Sequence, residues 1–234
     1  MFNAIKKQIP NLFTLGNLSC GVFAIILISD SQFEKAAWLI LLATLLDFCD
    51  GLIARFLKVS SEQGKQLDSL SDLVTFGVAP AIMLYVFGIH NHLGYEKFAF
   101  ILLAALSSYR LAKYNLDTRQ TTSFIGVPTP ITGIMVASWA FIRVSHPAVF
   151  ESIFANGLNF VLFCVTISIL LVLEIPLPAL KLKKGKLKDY WQQIMLLSFT
   201  IITVSIFHWF AVPIIYCFYV LSSVIINFAT NKKK

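Results

Sequence analysis

Eight runs of about 20 mostly apolar residues divide this chain, and they constrain its fold more than any other feature. A helix needs about 20 such residues to cross the hydrocarbon core of a bilayer. Because backbone polar groups find no partner in lipid, a chain with many such runs folds as a bundle of helices. We therefore predict an all-α, polytopic integral membrane bundle that forms a single domain over residues 1–234. The predicted spans are 11–29, 33–57, 70–89, 96–115, 129–146, 157–175, 191–207 and 209–229.

The composition agrees with a membrane protein. Hydrophobic residues make up 57% of the chain, charged residues 13%, and the mean hydropathy is +0.77, whereas soluble domains carry about 25% charged residues. The net charge of +7 does not indicate a nucleic-acid partner, because lysine and arginine mark the cytoplasmic side of membrane proteins. With the N-terminus inside, all basic residues except Lys35, Lys97 and Arg143 fall on that side. We predict cytoplasmic termini and a place in the cytoplasmic (inner) membrane.

Two pairs of aspartates interrupt this apolar pattern. The stretch DFCDGLIAR places Asp47 and Asp50 at the cytoplasmic end of the second span, and Asp68 and Asp72 stand at the start of the third. The spacings i, i+3 and i, i+4 put both members of each pair on one helix face. Because the connecting loop is short, the two helices are antiparallel neighbours and the faces can meet. Acidic residues in spanning segments are costly and indicate function.

Four facing carboxylates repel one another strongly in a low-dielectric site. They stay ionised only beside cations, and hard oxygen ligands favour magnesium, manganese or calcium. We therefore predict a site for divalent metal, with two ions as the natural arrangement.

Small residues and one arginine adjoin the aspartates. Gly51, Ala54 and Gly64 would let a flat ligand approach the backbone, and the guanidinium of Arg55 suits phosphate. Each feature also has an ordinary explanation: Arg55 could snorkel, the small residues could pack helices, and Asp68 could cap the third helix. Their coincidence at this spacing favours a site for a diphosphate nucleotide.

The pattern D-x2-D-G-x2-A-R-x8-G-x3-D-x3-D resembles the signature of the CDP-alcohol phosphatidyltransferases. The resemblance implies that an alcohol attacks the lipid-linked phosphate of a CDP-lipid at the cytoplasmic surface, and that CMP leaves. It also implies a homodimer, and a catalytic core over about 10–175 with two additional C-terminal helices over about 191–229. By the match, two divalent ions would be held by Asp47, Asp50, Asp68 and Asp72. Asp72 would also be the general base, and Asp68 would be a second catalytic residue. The CDP and phosphate groups would be bound by Asp50, Gly51, Ala54, Arg55 and Gly64.

The flanking strings resemble the phosphatidylserine synthase branch of that family. They are PNLFTLGNLSCG (10–21), GKQLDSLSDLVTFGVAPA (64–81), SSYRLAKYN (107–115) and FIGVPTP (124–130). The branch implies CDP-diacylglycerol and L-serine as substrates, among membrane lipids. Arg110 is then a candidate for the serine carboxylate, with Asn115 and Thr129 as further hydrogen-bonding groups.

Three alternatives stay open from the sequence. Arg110 could face water or lipid headgroups at a helix end. The acceptor could be glycerol phosphate or inositol phosphate, which would require more positive charge near the site. The acidic cluster could also belong to a cation transporter, although the chain lacks the internal repeats of many transporters, and Arg55 would repel a cationic cargo.

Overall fold

The protein is a bundle of helices with one minimal pair of strands. The computed structural model describes residues 2–59, 61–116, 124–174, 176–177 and 191–231. The helices are α1 (Phe2–Ser29), α2 (Phe33–Leu57), α3 (Glu62–Asp72), α4 (Ala79–His90), α5 (Phe100–Leu116), α6 (Thr129–Ser145), α7 (Pro147–Phe154), α8 (Gly157–Val172), α9 (Trp191–Phe207) and α10 (Ala211–Asn231). The strands β1 (Phe124–Ile125) and β2 (Pro176–Leu177) pair antiparallel. The all-helical prediction is confirmed for the described part of the chain.

Four helical segments are long and apolar enough to cross a membrane: Gln8–Ser29, Phe33–Leu57, Glu62–His90 and Ile194–Ile225. A fifth is reached if α7 and α8, which meet at 86°, count as one span. The predicted count of eight spans is not confirmed. The helices α5 and α6 have 17 residues each, fewer than the about 20 residues that cross the hydrocarbon core of a bilayer.

The segment Ile194–Ile225 is a hairpin rather than one long helix. Phe199 of α9 stacks on Phe218 of α10 with ring centroids 3.8 Å apart, whereas 19 residues of continuous helix would separate them by about 28 Å. The chain reverses in a 3₁₀ turn at His208–Phe210, where His208 has φ of 48°. This agrees with the prediction of separate helices over 191–207 and 209–229.

The predicted start of the third span at residue 70 is wrong, because the helix begins at Glu62. Ser61 caps this helix by accepting a 2.9 Å hydrogen bond from the backbone N–H of Gly64. The first turns are polar, so the apolar run marks the start of the hydrophobic segment and not the start of the helix. Asp68 and Asp72 therefore lie within and at the end of α3, not at its beginning.

A π-helical turn, Leu73–Val78, joins α3 to α4 and lies at the centre of the bundle. Phe76 in this turn is fully buried. A Cβ atom on Gly133 of α6 would lie 2.9 Å from Phe76 Cα, and one on Gly21 of α1 would lie 2.9 Å from Thr75 Cα. The backbones of α1 and α6 thus touch the π-helical turn directly, which fixes α3 against α1.

The short helix α7 was not expected from the sequence. Its Phe150 and Phe154 pack against Phe87 of α4 with ring centroids 5.0 and 5.4 Å away. These rings close the end of the bundle opposite the aspartates, because Phe87 lies near the far end of the segment that begins with α3.

Candidate active site

The aspartates of α2 and α3 meet as the sequence predicts. Asp47, Asp50 and Asp68 each place one carboxylate oxygen within 4.8 Å of the others. Asp72 lies one turn after Asp68, and its carboxyl group is within electrostatic range of Asp47, Asp50 and Asp68. Asp50 and Asp72 are buried, with 7% and 8% of their surface exposed. The four carboxylates form one cluster, which we call the acidic cluster.

Two residues of α1 support the acidic cluster. Thr14 Oγ1 donates a 2.7 Å hydrogen bond to Asp50 Oδ2, and Asn17 Nδ2 donates one of 3.2 Å to Asp72 Oδ1. Both donors are buried. Sequence reasoning missed them, although their i, i+3 spacing in an otherwise apolar run was a usable signal.

The residues of the acidic cluster fit a divalent cation. Asp68 Oδ1 is buried and has no hydrogen-bond partner among the described residues, and a buried polar atom of this kind calls for a ligand. The one salt bridge within the described residues joins Lys113 to Glu174, so no lysine or arginine pairs with the acidic cluster there. Carboxylate oxygens at this spacing are the donor set that hard cations prefer.

A cavity of about 340 Å³ adjoins the acidic cluster. It has the size of a small-molecule site, and Asp50 and Asp68 form part of its wall. A side chain at Gly51 would not clash: outside the helix's own backbone, a Cβ placed there would meet Arg55 Nη2 at 3.9 Å, an ordinary contact. The lining residues are Pro10, Asn11, Thr14, Asp50, Gly51, Ala54, Val59, Ser61, Gly64, Lys65 and Asp68. The small residues singled out in the sequence thus lie around one cavity.

The two basic residues near this cavity differ in position. Arg55 is exposed and is not among the residues that line the cavity. Lys65 does line it, and its Nζ donates a 2.9 Å hydrogen bond to the backbone oxygen of Asn115. Sequence reasoning did not select Lys65 for the nucleotide site.

Arg110 does not face water or headgroups, because only 8% of its surface is exposed. Its Nη1 donates a 3.1 Å hydrogen bond to Thr129 Oγ1, and its guanidinium lies within electrostatic range of Asp72. Two of the three candidate residues for the acceptor, Arg110 and Thr129, therefore lie together. Asn115 instead donates a 2.9 Å hydrogen bond to Ser69 Oγ, which links α5 to α3.

Comparison with known proteins decides the family. The family model described as CDP-alcohol phosphatidyltransferase matches residues 7–172 of this chain. The chain belongs to the CDP-alcohol phosphatidyltransferase family. The match contains the whole acidic cluster, the cavity and the pair of Arg110 and Thr129. The hairpin of α9 and α10 lies outside it.

Individual family members with curated names are also similar to this phosphatidyltransferase. A Helicobacter pylori protein named CDP-diacylglycerol–serine O-phosphatidyltransferase is 31% identical over 194 residues, which cover 81% of this chain and 79% of its own length. A Bacillus subtilis protein of the same name is 36% identical over 139 residues, or 58% of this chain and 76% of its own. An archaetidylserine synthase from Methanothermobacter thermautotrophicus is 34% identical over 136 residues, which cover 56% of this chain and 57% of its own length.

Proposed function

We propose that this enzyme transfers the phosphatidyl group of CDP-diacylglycerol to the hydroxyl of L-serine, giving phosphatidylserine and CMP. The observation that carries the proposal is the acidic cluster beside a nucleotide-sized cavity, in a chain of this family whose similar relatives carry serine-transferase names. Family membership also removes the reason to consider a cation transporter.

In this proposal the cavity holds the CDP group. Gly51, Ala54 and Gly64 leave room for the nucleotide, and Lys65 lies at its edge. Asp47, Asp50, Asp68 and Asp72 would hold one or two divalent ions, magnesium or manganese, which when bound supply positive charge against the diphosphate. Arg55, exposed near the rim, would contact phosphate from outside the cavity.

Asp72 would act as the general base. A serine hydroxyl is a weak nucleophile until a base takes its proton. As the serine oxygen attacks phosphorus, its proton passes to the Asp72 carboxylate, and the bond from phosphorus to the CMP oxygen breaks. Asn17 holds Asp72 in place through its 3.2 Å hydrogen bond. Phosphoryl transfer depends on positioning and charge more than on covalent help, so a direct displacement is sufficient.

The charges around the acceptor favour serine over a phosphorylated alcohol. Among the described residues, Arg110 is the buried cation, whereas Lys113 forms a 2.6 Å salt bridge with Glu174. One guanidinium balances the single carboxylate of serine. A phosphate with about two negative charges would require a second cation beside Arg110, and Lys65 lies instead at the cavity proposed for CDP.

We also propose eight spans with both termini cytoplasmic in the inner membrane, and a single domain with its active site on the cytoplasmic side. With about 25 Å of length each, α5 and α6 nearly match the hydrocarbon core, and the hairpin of α9 and α10 supplies two crossings.

The expected homodimer can be checked by light scattering of the purified protein, which measures the protein mass in the micelle.

The decisive test is CMP release by purified enzyme in detergent with CDP-diacylglycerol and Mn²⁺. L-Serine, glycerol 3-phosphate and inositol phosphate are added one at a time. We expect release with serine, abolished by Asp72→Asn and retained by Asp30→Asn, a matched change at an exposed aspartate at the end of α1. Release only with a phosphorylated acceptor would contradict the serine assignment, and no release with any acceptor would contradict the transferase function.

A further inference from the structure

Two tyrosines of α10 reach into the bundle beside α6. Tyr216 and Tyr219 are buried, with 4% and 8% of their surface exposed, and their i, i+3 spacing places them on one helix face. The hydroxyls of Tyr216 and Thr132 are 3.3 Å apart. The helix that carries them lies outside the segment matched by the family model, which ends at residue 172.

The same face of α6 connects these tyrosines to Arg110. Thr129 and Thr132 are one turn apart, so the hydroxyl that binds Arg110 and the hydroxyl that contacts Tyr216 point in similar directions. Both phenols lie within electrostatic range of the Arg110 guanidinium. Arg110 is thus enclosed by α5, by the first turn of α6 and by α10.

The guanidinium of Arg110 is incompletely paired. Its Nε is buried and has no hydrogen-bond partner among the described residues, and a buried charged donor without a partner is costly. The N-terminus of α6 begins at Thr129 and adds partial positive charge and unsatisfied N–H groups at the same place. An anion is the ligand that would satisfy both.

A cavity lies beside the two tyrosines. It has a volume of about 220 Å³ and is lined by α6 and the hairpin of α9 and α10, whereas Arg110 and Thr129 are not among its lining residues. The Tyr216 hydroxyl already contacts Thr132, so the Tyr219 hydroxyl is the one that a new ligand would engage.

We infer that α10 completes the acceptor site: Tyr219 binds the carboxylate of the incoming amino acid together with Arg110, and Tyr216 positions α10 through Thr132. The inference rests on the proposed function. It places part of the acceptor selectivity in the C-terminal hairpin. A neutral amino alcohol would not engage this pair.

The test compares Tyr219→Phe with Tyr109→Phe, a matched change on α5 at a tyrosine that is 59% exposed. Phenylalanine keeps the ring, so packing is retained. We expect the KM for L-serine to rise about tenfold or more in Tyr219→Phe, since a hydrogen bond to a charged group is lost, with the KM for CDP-diacylglycerol unchanged. CMP release with L-serinamide, which lacks the carboxylate, should be the same in wild type and variant.

The KM values of Tyr219→Phe and the use of serine by the wild-type enzyme together test the role of Tyr219. An unchanged KM for serine in Tyr219→Phe overturns the inference. So does an equal loss for serine, serinamide and CDP-diacylglycerol, because that pattern indicates a structural role. If wild-type enzyme releases CMP with serine, either result affects the inference alone. If wild type does not use serine at all, the proposed function fails and the inference fails with it.

Discussion

The side-chain amide of Asn17 donates a 3.2 Å hydrogen bond to Oδ1 of Asp72, and so joins the first helix to the last aspartate of the motif. Asn17 is itself held, because Thr75 Oγ1 donates a 3.1 Å hydrogen bond to its backbone oxygen. Thr75 belongs to the π-helical turn directly after Asp72. The proposed base is therefore held by Asn17, which Thr75 holds in turn, and neither residue takes part in the chemistry.

Replacing Asn17 should impair the chemical step. In Asn17→Ala the Asp72 carboxylate loses its donor and its orientation, and we expect kcat to fall about 10- to 100-fold with little change in the KM for CDP-diacylglycerol. Steady-state CMP release measures both. Ser19→Ala is the control, because Ser19 is exposed and bonds only the backbone oxygen of Leu15 within α1. A rise in KM without loss of kcat would contradict this role.

Replacing Thr14 should weaken metal use. Thr14→Val removes the 2.7 Å hydrogen bond to Asp50, and loss of a group that orients a metal ligand costs about 10- to 100-fold in affinity or activity. We expect the Mn²⁺ concentration for half-maximal CMP release to rise by a factor in this range. Thr44→Val serves as the control, since the Thr44 hydroxyl bonds the Ile40 backbone oxygen. Equal Mn²⁺ dependence in both variants would refute the expectation.

Metal binding should be visible without any reaction. Three carboxylates within 4.8 Å repel one another, so Mn²⁺ should raise the Tm of chelator-treated enzyme; at 100 times Kd the stabilisation is about 2.7 kcal/mol. Asp68→Asn removes one charge. It should raise the Tm of the metal-free protein and reduce the Mn²⁺ shift. Differential scanning fluorimetry in detergent measures both, and a full Mn²⁺ shift in the variant would exclude Asp68 as a ligand.

Gly51→Ala should separate stability from nucleotide binding. Outside its own stretch of helix backbone, the new methyl group would meet Arg55 Nη2 at 3.9 Å, an ordinary van der Waals contact, and alanine favours helix over glycine by up to about 1 kcal/mol. Because Gly51 lines the cavity, the methyl group would occupy part of the space that we propose for CDP. We expect an unchanged or higher Tm together with a KM for CDP-diacylglycerol several-fold above that of wild type. An unaltered KM would place the nucleotide elsewhere.

Gly21→Ala should instead destabilise the fold. A Cβ atom there would lie 2.9 Å from Thr75 Cα, and backbone cannot move aside as a side chain can. Overpacking of this kind costs about 1–3 kcal/mol, which a lower Tm would report. Gly16→Ala on the same helix is the control, because its Cβ would meet only the end of the Leu46 side chain, at 3.3 Å. Equal Tm values for the two variants would contradict the close contact.

The parts of the site that could be predicted from the sequence are those that depend on residues close together along the chain. The meeting of Asp47 and Asp50 with Asp68 follows from helical spacing and a short loop, both of which are local. Thr14 and Asn17 were missed because their partners appear only when α1 packs against α2 and α3. Asn115 was grouped with Arg110 from its position on the same helix, but it bonds Ser69.

In the fold, too, features set by nearby residues could be predicted from the sequence, whereas features set by packing between distant helices could not. Apolar runs predicted most of the helices, but the start of α3 at Glu62 depends on the cap at Ser61, which hydropathy does not register. The π-helical turn arises where Gly21 and Gly133 bring two backbones against Leu73–Val78. No pattern within that stretch of sequence indicates it.

The π-helical turn has a consequence for how this enzyme can vary. A wider turn accommodates one more residue than an α-helical turn, so α3 and α4 are rotationally out of phase by about 100° compared with an uninterrupted helix. Deleting a single residue between Leu73 and Val78 would restore that phase. The deletion would rotate Asp68 and Asp72 away from Asp47, while α4 would keep its place in the bundle. The length of this turn is therefore fixed by the direction in which two carboxylates point.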